Sequence, residues 1–596
     1  MTYRSPVSDI LFSLKAVAGL PELIAGKLDG DFDWDTLASV ISEAGRFATE
    51  EIAPLNRTAD TVGAAYENGA VTTPPGFADA YRRWAEAGWG GVSAPAEFGG
   101  MGLPHLVNVA CTEIWNGASM AFALCPLLTE GAIGALKTYG ARELLDRYLE
   151  PMIAGRWTGT MNLTEPQAGS DLNAVRTRAE RADDGAYRLF GQKIFITYGE
   201  HDMAENIVHL VLARLPGAPA GTRGLSLFLA PKFLVDADGT LGARNDVRCG
   251  SIEHKLGIHG SPTCVMIFGE NEGAKAWLVG EENRGLAAMF VMMNAARLAV
   301  GTQGVAIAER AYQQALEYAR ERRQGRSGKG GDGMAPIIEH PDVQRMLMTM
   351  KGYVHAARGI CHLTAAALDL ASHGRTEEER TEAANRAALL TPIAKAFSTD
   401  LGDEAASLGV QVHGGMGFIE QTGAAQHMRD SRIAAIYEGA NGIHGIDLAL
   451  RKLPLAGGAT VRNQINWIYD VARAVSESGG GAFGATAGRL SEAAEALDGA
   501  TREMQKWLAS DSESALAGAS SYLRLFGLTL GAACLAKAGL AGEALAADGD
   551  ASELPRVALA RFYAEKLLPV APGLARSIVS GAAPLSAYEA VLADAI

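Results

Sequence analysis

The sequence predicts a mainly α-helical protein in which one β-domain sits between two helical domains, with a helical extension behind them. Three observations carry this. Apolar residues recur at spacings of three and four from about residue 35 to 158. Near residue 160 the pattern changes to short β-branched or aromatic runs. Helical spacing then returns at about residue 283 and resumes beyond a break at Pro454. This order excludes the alternating strand and helix pattern of a dinucleotide-binding dehydrogenase.

The first domain is read over 1–158, and its largest break, Ala94 to Gly102, is too rich in Gly and Pro to continue a helix. The β-domain is read over 159–280. Its predicted strands are Tyr187 to Phe190, Lys193 to Thr197, Ile207 to Ala213, Leu225 to Ala230 and Val265 to Phe268, and Asp184-Gly185 supplies a turn before the first. The third domain is read over 281–454. Ala308, Tyr312, Ala315, Leu316 and Ala319 form one apolar stripe, and comparable stripes run through 341–373 and 381–410. The Gly-rich stretch from Gly325 to Gly333 reads as a mobile connection. Pro454, Gly457 and Gly458 mark a boundary, and the extension over 455–596 carries a stripe of Leu490, Ala494, Leu497, Met504, Trp507 and Leu508 behind a Gly-rich break at 479–488. Gly414-Gly415-Met416-Gly417 does not match GxGxxG, and its flanks look helical.

Composition narrows the function classes. The chain has 596 residues, enough for about three to five domains. With 48% hydrophobic and 20% charged residues, neither disorder nor a fibre fits, and 70 Gly without a Gly-X-Y period exclude collagen. A net charge of −15 disfavours nucleic acid and anionic lipid as partners. Cys111, Cys125, Cys249, Cys264, Cys361 and Cys534 are scattered singly, unlike a disulfide framework or a zinc site, so a reducing compartment and no metal are expected. The start of the chain lacks a leader pattern, and no uncharged apolar stretch reaches about 18 residues, so a soluble cytoplasmic protein is expected.

Three stretches offer chemistry. Met161 to Asp171 brings the hydroxyls of Thr164 and Ser170 together with Pro166 and Gly169, in a loop whose backbone N–H groups suit a polar heterocycle or a phosphate; a capped turn has the same composition. Ile436 to His444 sets Glu438 in an apolar segment before Gly439 and a helix. That suits a general base of raised pKa, or an acid satisfying a helix N-terminus. Glu321-Arg322-Arg323-Gln324 ends a long helix, where arginines are mostly solvated.

Taken together these stretches resemble the acyl-CoA dehydrogenase flavoprotein family. Its two signatures are similar to Leu163 to Asp171 and to Gln411 to Glu438. Further matches are the Pro95 to Gly102 turn, Gly191 to Thr197 and Lys255 to Ile258, in the family's order over about residues 50–453. Within the family, the start from Tyr3 to Ile10, the Ile252 to Ser261 segment and the long extension resemble the branch that oxidises 3-methylmercaptopropionyl-CoA. Extended enzymes for longer fatty acyl chains share much of this.

The resemblance implies an N-terminal helical domain, a middle β-barrel, a C-terminal four-helix bundle and an extra helical domain, with FAD held between barrel and bundle. It implies that Met161, Leu163, Thr164, Ile196 and Thr197 border the flavin ring, with Phe195 packed on its face where Trp is frequent. Gly169 and Ser170 lie toward the flavin phosphates, and Ser170 also toward the acyl-CoA entrance. Arg322 of a neighbouring subunit reaches the FAD pyrophosphate, with Gln324 beside it. Gln411, Val412, Gly414 and Gly415 bring backbone close to the adenosine half. Glu438 matches the base that removes the thioester α-proton while the β-hydrogen leaves as hydride, giving a trans-2-enoyl-CoA. Asn294, Arg297, Tyr437 and Gly439 match substrate positions. Electron-transferring flavoprotein is the implied acceptor, with an oxidase or a nucleic-acid-associated relative as alternatives, and a homodimer is the implied assembly. Two departures stand out: Ala440-Asn441-Gly442 replaces a hydroxyl- and amide-bearing run, and Gln324-Gly325 stands where Thr/Ser-Phe is common. Backbone or extension residues are expected to replace those FAD contacts.

Overall fold

In the computed structural model, which describes residues 3–28, 32–328 and 333–593, the chain divides into two units. One comprises Thr2–Ser5 and Ala44–Ala299, the other Pro6–Glu43 and Val300–Ile596. Residues 329–332 of the predicted mobile connection lie outside the described residues, as do the first two residues and 594–596.

In the first unit the helices Phe77–Glu86, His105–Ala118, Met120–Tyr139 and Arg142–Ile153 enclose an aromatic cluster. Within it Trp115 meets Trp89 at 5.2 Å and Phe47 edge-on at 6.0 Å. The Ala94 to Gly102 break is real. A Cβ on Gly100 would fall 2.1 Å from the Ala94 carbonyl oxygen, so only glycine fits there.

A hairpin of β1 (Ala65–Glu67) and β2 (Ala70–Thr72) precedes the β-domain. That domain holds β3 (Trp157–Asn162), β4 (Arg178–Arg181), β5 (Tyr187–Thr197), β6 (Asn206–Arg214), β7 (Leu225–Pro231), β8 (Phe233–Val235), β9 (Leu241–Arg244), β10 (Val247–Ile252), β11 (Thr263–Phe268) and β12 (Ala274–Val279). Strands β4, β5, β12, β7 and β6 pair in a closed ring, a five-stranded barrel. β11 and β10 continue the sheet from β5, and β3 joins β6 in parallel.

The two runs expected at 187–190 and 193–197 are one strand. It is bulged where Ile194 and Phe195 together oppose Val265 of β11, which breaks the readable alternation. β3 was not predicted because its buried residues Thr158, Thr160 and Asn162 are polar. Thr158 and Thr160 are paired inside the barrel with His201 at 2.9 Å and His209 at 2.7 Å. β3 is set by the Met120–Tyr139 helix. Thr129 Oγ1 accepts the Gly159 N–H at 3.0 Å, and a Cβ on Gly159 would meet Ala132 at 2.5 Å.

In the second unit the helices Pro341–His373 and Glu377–His413 form an antiparallel pair, the latter opened by a Thr376/Glu379 capping box. The part of the Gly285–Glu321 helix beyond Val300 packs on this pair through bare glycines. A Cβ on Gly301 or Gly304 would sit 2.6 or 2.3 Å from the Ala394 or Ser398 oxygen. The extension helices Ala459–Glu477, Thr486–Ser510 and Ser512–Ala547 belong to this same unit; of the predicted stripe Leu490, Ala494, Leu497 and Met504 are buried, whereas Trp507 and Leu508, in the last turn, are half-buried.

So do two short helices the sequence reading did not find, Val7–Ser13 and Leu20–Gly26. They are fastened to bundle and extension alike. Asp9 meets Arg556 at 2.8 Å and Lys351 and His355 at 3.5 Å, and Lys537 donates to the Val17 carbonyl at 2.9 Å.

Among the described residues three helices, Met120–Tyr139, Gly285–Glu321 and Ser512–Ala547, are long and apolar enough by length and composition to cross a membrane. Charged residues interrupt each of them, and 78%, 50% and 83% of their most apolar segments are buried inside the protein. All six cysteines are buried free thiols.

Candidate active site

The predicted site residues fall into two groups, one in each unit. In the first unit, β3 delivers Met161 and Leu163 to a loop whose conformation is fixed from below by a buried ion pair. Lys193, wholly buried in β5, donates to Glu165 Oε1 at 2.8 Å and to the Leu163 carbonyl at 2.9 Å. Glu165 also accepts the Arg176 N–H at 2.7 Å, the Thr177 N–H at 3.0 Å and the Thr177 hydroxyl at 2.6 Å. Burial pushes the Glu165 carboxyl up, but the Lys193 ammonium and these donors outweigh it and hold it down at about 2; burial brings Lys193 down to about 8 against the pull of Glu165.

The loop is stitched to β5 at the point of interest, where the Ile194 N–H donates to the Thr164 carbonyl at 2.9 Å. The next residue, Phe195, stands at φ 60° on the bulge and is 58% exposed. Thr164 and Thr197 are partly exposed nearby in sequence and sheet, whereas the Ile196 side chain is buried, so only its backbone is available to a ligand. Gly169 and Ser170 are exposed, with open space where a Gly169 Cβ would project. Asn294 and Arg297 share one helix face, bonded to each other at 3.1 Å.

In the second unit Glu438 occupies a left-handed conformation, φ 54°, followed by Gly439 at φ 90°. Both carbonyls of this turn are engaged. His444 Nε2 lies 3.1 Å from the Glu438 oxygen, and Lys395 Nζ donates to the Gly439 oxygen at 2.8 Å. The neighbouring Tyr437 hydroxyl donates to the Gln303 amide oxygen, and burial and the Glu438 carboxylate push that phenol far up.

Asn441, one of the sequence's departures, is turned into the Glu377–His413 helix. Its amide group donates to the Ala396 oxygen at 3.1 Å, Thr399 Oγ1 at 3.0 Å and Asp400 Oδ1 at 2.7 Å, and its oxygen accepts from Lys395 at 2.9 Å. Behind it the extension helix Ser512–Ala547 comes so near that a Cβ on Gly445 would be 3.1 Å from the Ala519 carbonyl group.

The Glu377–His413 helix carries Gln411 and Val412 in its last turn and is followed by Gly414. Val412 is buried while Gln411, Gly414 and Gly415 are exposed, and no atom lies within 4 Å of a Cβ built on either glycine. Arg322 and Gln324 are exposed. Among the described residues Arg322 meets only Gln324 Oε1, at 3.4 Å, so its guanidinium is available to an anion. Each unit by itself offers surfaces that suit part of a flavin nucleotide: an exposed aromatic ring in the first, and bare glycine backbone with an exposed guanidinium in the second. Glu165, Lys193, Gln303, Lys395 and His444 were not picked out from sequence as site residues. The available signal was a lysine inside an otherwise apolar run, as in Ile393-Ala394-Lys395-Ala396-Phe397.

The chain matches the acyl-CoA dehydrogenase N-terminal domain over residues 35–156, the middle domain over 160–270 and the C-terminal domain over 283–453. It also matches the acetyl-CoA dehydrogenase C-terminal-like domain over 460–589. It is 49% identical over 571 residues to 3-methylmercaptopropionyl-CoA dehydrogenase of Ruegeria pomeroyi, covering 95% of this chain and 96% of that one. It is 34% identical over 586 residues to a butyryl-CoA dehydrogenase of Syntrophomonas wolfei, covering 95% of each. The crystal structure of an acyl-CoA dehydrogenase complexed with FAD from Bacillus anthracis shares the fold, with a TM-score of 0.70 at 22% identity over 92% of this chain and 89% of that one. The chain belongs to the acyl-CoA dehydrogenase family and is an FAD-dependent oxidoreductase acting on acyl-CoA thioesters.

Proposed function

We propose that the protein oxidises 3-methylmercaptopropionyl-CoA to methylthioacryloyl-CoA, with Glu438 as the base that removes the α-proton. The carrying observation for the base is the turn itself: a carboxylate held in a left-handed conformation with both carbonyls bonded from behind. The substrate reading rests on the 49% identity to the Ruegeria enzyme over nearly the whole of both chains. FAD, when bound, supplies the acceptor for the β-hydride. Phe195 would pack on the flavin face and Thr164 and Thr197 hydrogen-bond its edge, while Gly414 and Gly415 admit the adenosine half. Ser170, Asn294, Arg297, Tyr437 and Gly439 would contact the acyl-CoA. Glu438 takes one proton from the α-carbon and returns it to solvent after the enoyl product leaves.

The assembly we propose is a cytoplasmic homodimer in which Arg322 serves the FAD pyrophosphate of the other subunit, with electron-transferring flavoprotein as acceptor. Light scattering that gives a tetramer would overturn the dimer. Nucleic acid is not proposed as a partner. Of the extension's basic residues, Arg489, Arg502, Lys506, Arg524, Arg556 and Arg561 are each paired with an acid, which leaves no basic patch built from them.

Anaerobic flavin bleaching tests the substrate. The thioether substrate is expected to reduce the flavin at least as readily as a four-carbon acyl-CoA, with a sixteen-carbon chain failing. The similarity to a butyryl-CoA dehydrogenase supports a second reading, a fatty acyl-CoA dehydrogenase; bleaching that is clearly better with a straight chain of any of these lengths than with the thioether would establish it and remove the first. A sulfur-for-methylene exchange changes binding in an apolar pocket only modestly, so some overlap with the four-carbon chain is expected.

A further inference from the structure

We infer that Lys395 is a positioning residue for the base: with Asn441 it locks the Glu438-Gly439 turn and thereby fixes the direction of the Glu438 carboxyl. The inference rests on the reading of Glu438 given above and adds the element that acts through it. A non-glycine residue in the left-handed region persists only where its surroundings over-determine it, and the turn has such surroundings on both sides. His444 holds the Glu438 carbonyl, and the wholly buried Lys395 holds the Gly439 carbonyl and the Asn441 side chain at once, at 2.8 and 2.9 Å.

Asn441 completes the lock. Its amide group reaches Ala396, Thr399 and Asp400, all within five residues of Lys395 on the same helix, so the turn is tied to one rigid helical face at two successive points. The other sides of that helix are pressed against Gly301 and Gly304, at Ala394 and Ser398, and through Phe397 against Gly527 of the extension, leaving it no room to shift. A surface lysine would wander among solvated rotamers. This one has its ammonium committed to the main chain immediately after the base.

The alternative is that Lys395 merely anchors the start of the Asn441–Asp447 helix and has no bearing on proton abstraction. Single-turnover flavin reduction of the FAD-loaded enzyme by 3-methylmercaptopropionyl-CoA, followed across pH, separates the two for K395M, N441A, E438Q and the K395M/E438Q double variant. K395M is expected to slow reduction by about 10²-fold, the scale of a small misplacement of a reacting group, with KM little changed. Its pH profile is expected to depart from the parent's, because the surroundings of the carboxyl change when the turn is released, which an anchor of the following helix alone would not cause. N441A should slow reduction less and leave the profile nearer the parent's, and the double variant should be no slower than E438Q alone.

K395M at the parent's rate and pH profile, or a double variant slowed by the full product of the single effects, overturns the inference. Should K395M fail to retain flavin, N441A decides: a parental rate there overturns it. E438Q reducing its flavin at the parental rate would instead remove Glu438 as base and take this inference with it. An inactive E438Q beside an unaffected K395M removes the inference alone.

Discussion

The β5 bulge and the Glu438 turn lie in different units and were built by the same device with different wiring. Each presents a side chain with a proposed role from the left-handed region, Phe195 at φ 60° and Glu438 at φ 54°, and each is backed by a wholly buried lysine, Lys193 and Lys395. Lys193 is closed into an ion pair with Glu165, whereas the acceptors Lys395 meets in the turn are neutral, a main-chain carbonyl and an amide. A buried ion pair is tolerable only while both members are present, so it serves best as a pin that holds a loop. A buried cation bonded to the main chain and an amide of a turn fixes that turn instead, so the first lysine pins a loop and the second pins the segment that carries Glu438.

The largest test acts on the base. Glu438→Gln keeps the size and polarity of the side chain, and should retain fold and flavin while turnover falls by about 10²–10⁴-fold, the usual worth of a positioned general base. Flavin absorbance and steady-state rate measured on the same sample check both halves, and activity within a few-fold of the parent would remove Glu438 from the role.

Next comes Glu165→Gln, which strands the Lys193 ammonium. Breaking one side of a buried pair costs about 3–5 kcal/mol, so denaturant unfolding should shift strongly and flavin should be lost. A variant as stable as the parent would show that the pair is no pin. The pH dependence follows with its sign. The Glu165 carboxyl sits near 2 in the folded protein against an ordinary 4.5, so its contribution is complete above about pH 4.5 and is lost as pH falls toward 2.

Arg322→Ala is expected to be milder. A charge-assisted phosphate contact is worth about 1.5–3 kcal/mol, so flavin affinity should fall by about one to two orders of magnitude without a change in fold. Unchanged flavin occupancy in diluted samples would rule out the pyrophosphate contact.

How much of this was legible in the chain depends on where each partner lies. Periodicity exposed the layer order and five apolar strand runs, because burial on a regular element leaves a period in the sequence. It was blind to β3, whose buried side chains Thr158, Thr160 and Asn162 are polar and paired inside the barrel. It was also blind to the Val7–Ser13 helix, which is held by groups such as Arg556, hundreds of residues away. Family resemblance brought out the side chains proposed to meet ligands, Glu438 and Phe195. It did not bring out Lys193 or Lys395, whose partners lie 28 to 46 residues away and whose meaning exists only after folding. Asn441, flagged in the sequence as a lost FAD contact, is instead an internal tie.

The smallest effect separates backbone strain from stacking at Phe195. Ala and Gly both remove the ring, so both should weaken flavin binding by about tenfold, the scale of one aromatic face. They differ in the backbone: alanine keeps the left-handed strain at φ 60°, and glycine relieves it. Phe195→Gly should therefore be the more stable of the two by about 1 kcal/mol while binding flavin no better. If the alanine and glycine variants unfold together, the bulge is held without strain and Phe195 is placed by the strand alone. If they differ as expected, the protein pays for the ring's position with local strain, and the Lys193–Glu165 pin beneath it is what keeps that conformation populated.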